Sequence, residues 1–259
     1  MCCRRKKTVL ILLLSDIHSN FEALTACMEA APAYDRVVNL GDVVGYGGSP
    51  NEVTDLCRKT TWLCVRGNHD KVCTGIESPE YFNPIAALAA YWTRETLTPE
   101  NYAWLRAMPE GPVSSPLVKD VQFVHGSPLD EDEYMISLMD ATEALDEVDV
   151  PITFFGHSHI QGAFYLDGDD PQELRPGTRR QQGREKHTVH LAGEVRYMIN
   201  PGSVGQPRDG DWRAGFAVHD SQKHEVTFYR VPYDVEAAQR RIREAKLPDR
   251  LAVRLGEGR

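Results

Sequence analysis

Thr8-Val9-Leu10-Ile11-Leu12-Leu13-Leu14-Ser15-Asp16-Ile17-His18 decides the fold class, because its apolar run stops abruptly at a carboxylate and an imidazole. The six apolar residues Val9–Leu14 have the length and continuity of a strand buried on both faces. From Asn20 to Ala31 the apolar residues Phe21, Leu24, Ala26-Cys27-Met28 and Ala30-Ala31 recur at helical spacing, and Pro32 closes the pattern. The strand-then-helix unit repeats. Arg36–Leu40 reads as a strand, and Ser49-Pro50-Asn51-Glu52 opens a helix to about Lys59 with Ser at N-cap, Pro at N1 and Glu at N3. Thr61–Val65 is a third strand. Strands joined by single helices pair in parallel through right-handed crossovers, so the N-terminal half builds one side of a layered α/β core.

Working outward, Asn83–Met108 carries two helical patterns split at Thr98-Pro99-Glu100, a helical insertion or flank. Val121–Val124 and Ile152–Phe155 are short strands. Further strands are expected at Ala163–Leu166, Thr188–Leu191, Tyr197–Ile199, Ala214–His219 and Glu225–Val231. The polar stretch Asp167–Glu185 (about 167–186) is rich in Gly, Pro and Arg and reads as an exposed hairpin tip or loop. Asp234–Lys246 is a closing helix, with a tail that frays beyond Pro248. The length allows one large α/β domain or two small ones, either able to bury a core without crosslinks, and the pattern reads as a single domain over residues 1–259.

A net charge of −9 argues against a general nucleic-acid or anionic-membrane binder, although bound cations can still supply local positive charge for a small phosphate ligand. The six cysteines fall in the first third, at positions 2, 3, 27, 57, 64 and 73, with no zinc-ribbon spacing. They read as reduced thiols of a cytoplasmic protein. Met1–Lys7 and the apolar run after it imitate a signal peptide, but the run is too short, lacks a cleavage site and ends in Asp16. No stretch approaches the roughly 18 apolar residues of a membrane span. The Cys2-Cys3 pair beside basic residues also has the composition of a lipidation site.

Metal ligands require a rigid frame, and strand ends supply one. Ser15-Asp16-Ile17-His18 follows the first strand, Gly41-Asp42 the second and Gly67-Asn68-His69-Asp70 the third; His125-Gly126 and Gly156-His157-Ser158-His159 follow two more. In extended backbone Asp16 and His18, two apart, project to one side, as do His157 and His159. Carboxylates, imidazoles and an amide carbonyl suit borderline divalent ions (Mn2+, with Fe, Co, Ni or Zn as alternatives) better than Ca2+ or Mg2+, which prefer all-oxygen shells. Singly, each motif reads as a turn or a satisfied core residue. Together they gather five of the nine histidines in strand-end positions.

In that order, D-x-H, G-D-x-x-G, G-N-H-D, x-H-G and G-H-x-H, the chain resembles the calcineurin-like metallophosphoesterase superfamily from Asp16 to Arg208. Gly41-Asp42-Val43-Val44-Gly45-Tyr46 and Asn200-Pro201-Gly202-Ser203-Val204-Gly205 resemble most its compact bacterial and archaeal phosphodiesterases. The resemblance implies a four-layer αββα sandwich, two mixed β-sheets flanked by helices. It implies a first divalent metal on Asp16, His18 and His159, a second on Asn68, His125 and His157, and Asp42 bridging both. It also implies hydrolysis of phosphodiesters or nucleoside polyphosphates by a hydroxide held between cations about 3.5–4 Å apart. His69 matches a family histidine that contacts the phosphate, beside Asn68, or protonates the leaving oxygen, with Asp70 orienting it. Arg66 and Arg208 are candidates for phosphate or nucleotide contacts, against the alternative of ordinary surface ion pairs. The expected partner is a small phosphate ester or nucleotide, with the oligomeric state open. A phosphomonoesterase and a non-catalytic scaffold on the same fold are the competing readings, the second disfavoured by the intact ligand set.

Overall fold

The structure is a computed structural model describing residues 9–176 and 183–259. Cys2-Cys3 and part of the polar 167–186 stretch lie outside the described residues. Strand β1 (Leu10–Leu14) is followed by α1 (Phe21–Ala30), β2 (Arg36–Asn39), α2 (Pro50–Thr60) and β3 (Leu63–Cys64). As expected from the single-helix connections, β1–β2 and β2–β3 are parallel. Next come α3 (Asn68–Cys73), α4 (Pro84–Thr96), α5 (Pro99–Arg106), β4 (Val113–Ser115), β5 (Val118–Phe123) and α6 (Leu138–Glu147). The remainder is β6 (Ile152–Phe154), β7 (Gly162–Asp167), β8 (Asp170–Leu174), β9 (Glu185–His190), β10 (Arg196–Asn200), β11 (Ala214–Asp220), β12 (Glu225–Val231), α7 (Val235–Glu244) and α8 (Asp249–Val253).

Two six-stranded mixed sheets result, ordered β3-β2-β1-β11-β12-β9 and β4-β5-β6-β10-β7-β8. The apolar run of β1 is continuous because the strand feeds two cores. Ile11 and Leu13 join Phe123, Phe154, Ala217 and Phe228 between the sheets. Leu12 and Leu14 instead meet Leu24, Val53, Phe216 and Ile242 in the layer under the helices. Truncating such a leucine to alanine costs about 2–5 kcal/mol, so β1 is anchored from both sides. A third cluster packs Ala141, Ala144 and Leu145 of α6 on Val124, Phe155 and Phe164. Together these make the four layers, helices–sheet–sheet–helix.

Three expectations need correction. Asp170–Leu174 forms an edge strand antiparallel to β7, so the polar stretch is not all loop. Its apolar alternation is weak because one border faces water, where Pro171 is tolerated. The chain after Pro248 does not fray: Leu251, Ala252 and Leu255 are buried in the helix-side core. Leu138–Glu147 is a helix outside the sequence expectation, with the Ser137 hydroxyl accepting from the Asp140 N–H and the Asp140 carboxylate accepting from the Ser137 N–H. The expected α4 and α5 are present, capped by Asn83 and Thr98.

One buried group couples this core to pH. His219 on β11 is 1% exposed, packs 5.4 Å from the Phe154 ring and has neither ring nitrogen hydrogen-bonded. Burial pushes its pKa down to about 4 from the ordinary 6.5, only partly opposed by Asp220. Unfolding therefore takes up a proton between those values; the stability is present above pH 6.5 and is lost as pH falls toward 4, by roughly 3 kcal/mol. Urea denaturation at pH 8 and pH 4.5 should show His219→Leu losing less stability on acidification than the parent. Identical losses in the two proteins would refute a role for His219.

Candidate metal centre

The carboxyl ends of β1, β2, β3, β5 and β6 meet along one edge of the sandwich. Hydrogen bonds tie the loops that leave them: Asp16 N–H donates to Gly41 O (3.0 Å), His18 N–H to Asp42 O (2.9 Å) and Gly156 N–H to His125 O (2.7 Å). The side chains do not reach the centre through extended backbone, as the two-residue spacing suggested. Asp16, His18, Asp42, His157 and His159 all have φ between 48° and 62°, half of the ten non-glycine residues with positive φ among the described residues. Such left-handed conformations cost of order 1–3 kcal/mol each and collect at functional sites held by their surroundings. Here they aim each side chain inward from the loop that follows its strand, two to five residues past the strand's end.

Two donor groups form. Asp16, His18, Asp42 and His159 place ligand atoms within 4.8 Å of one another, and Asp42, His125 and His157 do the same. Asp42 belongs to both. One of its oxygens, Oδ2, is 3.5 Å from both His18 Nε2 and His125 Nε2, while Oδ1 accepts from the His69 N–H at 2.9 Å. Asn68 Oδ1 lies 3.4 Å from His125 Nε2, so the amide stands beside the second group. Gly67 is required where the loops cross, because a Cβ there would come within 2.1 Å of Asp42 Oδ1.

Backbone carbonyls assign the imidazole tautomers. Nδ1 of His18, His125 and His159 faces the carbonyls of Val44 (3.2 Å), Leu40 (2.7 Å) and Gln206 (2.6 Å). A carbonyl only accepts, so each Nδ1 carries a proton and each Nε2 is available as a ligand. His157 is reversed: its Nε2 donates to Asp132 O at 3.0 Å, leaving Nδ1 available. This leaves the Nε2 lone pairs of His18 and His159 facing each other at 3.1 Å, an arrangement that a shared cation or proton relieves. Burial holds both rings well below the usual imidazole pKa, favouring the cation. Burial pushes Asp16 up to about 7, against the pull of His125. Asp42 is held well below its ordinary value, because His125 and His69 outweigh its desolvation. His125 is pushed up to about 10, Asp42 outweighing its burial, so a proton on His125 occupies the role a metal cation would take. The donors are buried and convergent and, once a cation displaces the His125 proton, neutral or anionic and mixed N and O, which fits borderline divalent ions.

The neighbouring candidates divide. His69 is buried against Phe82 (4.5 Å), Tyr46 (4.3 Å) and His18 (4.8 Å), and its pKa is pushed down to about 4 by burial. Its Nδ1 has no hydrogen-bond partner. Asp70 does not reach the His69 ring. Its carboxylate instead accepts from the N–H groups of Gly67 (3.0 Å) and Val44 (3.2 Å), bracing the Asp42 and Asn68 loops against each other. Arg66 is engaged elsewhere, with two bonds to Glu131 (2.9 and 2.7 Å) and one to Glu110 (2.7 Å). Lys71 also holds Glu131 and Asp132, fixing the segment whose Asp132 carbonyl orients His157. Arg208 borders the centre: its main-chain N–H donates to His159 O at 3.3 Å, and its guanidinium lies 6.0 Å from the Tyr46 ring.

Sequence reasoning missed Tyr46, Phe82 and Tyr134, the last stacked 3.7 Å from His157. With Asn68, His69 and His157 they line a cleft of about 340 Å³. Tyr46 stood within the glycine-rich Gly41–Tyr46 motif, whereas nothing in the local sequence marks Phe82 or Tyr134. Among the described residues no helix is long and apolar enough to cross a membrane.

Comparison with known proteins agrees with this geometry. The family pattern described as a calcineurin-like phosphoesterase superfamily domain matches residues 9–224. An uncharacterised protein of Methanocaldococcus jannaschii is 34% identical over 252 residues, covering 96% of this chain and 98% of its own. A metallophosphoesterase from Sphaerobacter thermophilus has a crystal structure that superposes with a TM-score of 0.84 at 36% identity, covering 98% of this chain and 100% of its own. A hypothetical protein from Pyrococcus horikoshii shares the fold, with a TM-score of 0.74 at 20% identity over 97% of this chain and 99% of its own. By motif order, ligand convergence and family match, the chain belongs to the calcineurin-like phosphoesterase superfamily.

Proposed function

We propose that this protein hydrolyses phosphodiesters or nucleoside polyphosphates with two divalent cations, Mn2+ fitting the donor set best and Fe, Co, Ni or Zn being alternatives. The observation that carries the reading is Asp42, one carboxylate common to two groups of buried ligand atoms. Asp16, His18 and His159 would hold one cation, and Asn68, His125 and His157 the other. Bound there, the pair supplies ionised water near neutral pH and offsets the negative charge of the reacting phosphate.

The remaining work belongs to side chains. Asn68 and His69 border the cleft and bind the phosphate oxygens. The depressed pKa of His69 keeps the free ring neutral at pH 7, a donor on one nitrogen and an acceptor on the other, and proton transfer at the leaving oxygen uses that ring. Phe82, Tyr46 and Tyr134 wall the cleft and restrict water. Asp70 and Arg66 act at a distance, holding the loops that carry Asp42, Asn68 and His157. Buried, unpaired Cys27, Cys57 and Cys73 accord with a cytoplasmic protein.

The direct test is turnover of bis-p-nitrophenyl phosphate, p-nitrophenyl phosphate and a dinucleoside polyphosphate by protein loaded with Mn2+, Ni2+, Co2+ or Mg2+. No turnover under any of these conditions would end the hydrolase reading. Asp42→Asn should abolish activity and lower bound metal, counted by elemental analysis, from two ions to one or none. Two retained ions with near-normal turnover would remove Asp42 from the shared position. His69→Ala should keep both ions and cut kcat by roughly 10²–10⁴, less for leaving groups of low pKa. A parallel fall in metal content would make His69 a ligand or a structural residue instead.

A further inference from the structure

The cleft beside the candidate ligands, about 340 Å³, has room for more than the reacting phosphate. Asn68 and His157 line it together with four aromatic rings, Tyr46, Tyr81, Phe82 and Tyr134. Two of these rings are accounted for by packing, since Tyr46 and Phe82 lie 4.3 and 4.5 Å from the His69 ring. The other two are not. Tyr81 is 88% exposed, the highest value of any large apolar side chain among the described residues, and Tyr134, although stacked 3.7 Å from His157, is still 44% exposed. The segment carrying Tyr81 is nevertheless fixed on both sides. Pro79–Tyr81 forms one turn of 3-10 helix, Phe82 packs against the helix-side core, and the Asn83 side chain caps α4 by accepting from Ile85 and Ala86 N–H. A ring held open to water in this way offers apolar surface that a ligand would bury.

Charge restricts what that ligand can be. Among the residues lining the cleft there is no lysine or arginine, and the two acidic ones, Glu77 and Asp132, bring carboxylates. Lys71 holds both, at 3.2 and 2.5 Å, but it is buried, does not line the cleft and also holds Glu131. Arg66 is shared between Glu131 and Glu110. Two cations therefore face four carboxylates along this wall, and the field that a ligand meets there is negative. Arg208 lies 6.0 Å from the Tyr46 ring and hydrogen-bonds to Tyr134, yet its charge bears on Asp16, His18 and His159, at the candidate ligands themselves. A second phosphate in the cleft would meet carboxylates, whereas an uncharged planar ring would meet aromatic side chains.

We propose that this cleft is an aromatic subsite, with Tyr81 and Tyr134 as its specificity-determining residues, and that it takes the uncharged ring of an aryl or nucleoside group esterified to the reacting phosphate. The inference rests on the phosphoester hydrolase reading and narrows it. Of phosphodiesters and nucleoside polyphosphates, it selects esters in which the group next to the reacting phosphate is a ring-bearing alcohol and not a second phosphate.

Calorimetric titration of the Mn2+-loaded protein with phenylphosphonate and with methylphosphonate tests the subsite without turnover, because neither ligand can be hydrolysed. Phenylphosphonate should bind about tenfold or more tighter, and Tyr81→Ala and Tyr134→Ala should each lower that ratio about fivefold or more, the scale of stacking on one aromatic ring. Tyr81→Phe should retain the ratio, because the ring is what the subsite uses. Melting temperature and metal content establish that each variant is folded and loaded. A parent ratio near one, or an unchanged ratio in folded, loaded Tyr81→Ala, would overturn the subsite. Methylenediphosphonate tests the part played by charge: Glu77→Gln should tighten it relative to methylphosphonate by roughly two- to fivefold, the scale of one partly exposed charge. No gain there would overturn the exclusion of a second phosphate. If the parent protein turned over no phosphate ester while the phenyl-to-methyl ratio still fell in Tyr81→Ala, the subsite would stand and the hydrolase reading would fall.

Discussion

Asp42 brings a negative charge into a space that is 1% exposed and ringed by imidazoles, and the surrounding architecture follows from keeping it there. A buried carboxylate is costly unless its oxygens are satisfied. One oxygen accepts the His69 N–H; the other stands at 3.5 Å from two imidazole nitrogens belonging to different donor groups. Those two histidines arrive from opposite halves of the molecule, His18 after β1 in one sheet and His125 after β5 in the other. The sandwich can bring them to one carboxylate because both sheets direct the ends of their parallel strands to the same edge, where ligands gather in open α/β sheets.

The energetic cost of the centre is borne by the cores beneath it. Five candidate ligand residues have left-handed backbone, two unprotonated imidazole nitrogens face each other and two carboxylates are fully buried. Strained and desolvated groups persist only where rigid packing leaves no alternative. β1 meets that condition, with Ile11 and Leu13 in one core and Leu12 and Leu14 in another. Carbonyls add a finer control, selecting Nε2 of three histidines and Nδ1 of the fourth as the free nitrogen.

Much of this was legible in the chain. The apolar run of Val9–Leu14, the N-cap and Pro signals at Ser49-Pro50 and Thr98-Pro99, and the strand-end positions of the candidate ligands depend on local chemistry, and local chemistry is written residue by residue. What was misread depends on neighbours distant in sequence. Asp170–Leu174 looks like loop because its strand character comes from pairing with β7, and the tail after Pro248 looks loose because its anchor is a core assembled elsewhere. Arg66 and Arg208 had similar motif credentials. Tertiary packing gave one the carboxylates of Glu131 and Glu110 and left the other beside Tyr46.

By itself, then, the sequence determined which residues have the chemistry of cation ligands and that they lie past strand ends, since side-chain chemistry and hydrophobic period are properties of the chain. Only the tertiary structure decided how they are used. The sharing of Asp42, the reversed tautomer of His157, the bracing role of Asp70 and the gathering of Tyr46, Phe82 and Tyr134 around one cleft all arise between residues tens of positions apart. Their distances are set by the packing of two sheets, and no local pattern encodes that separation.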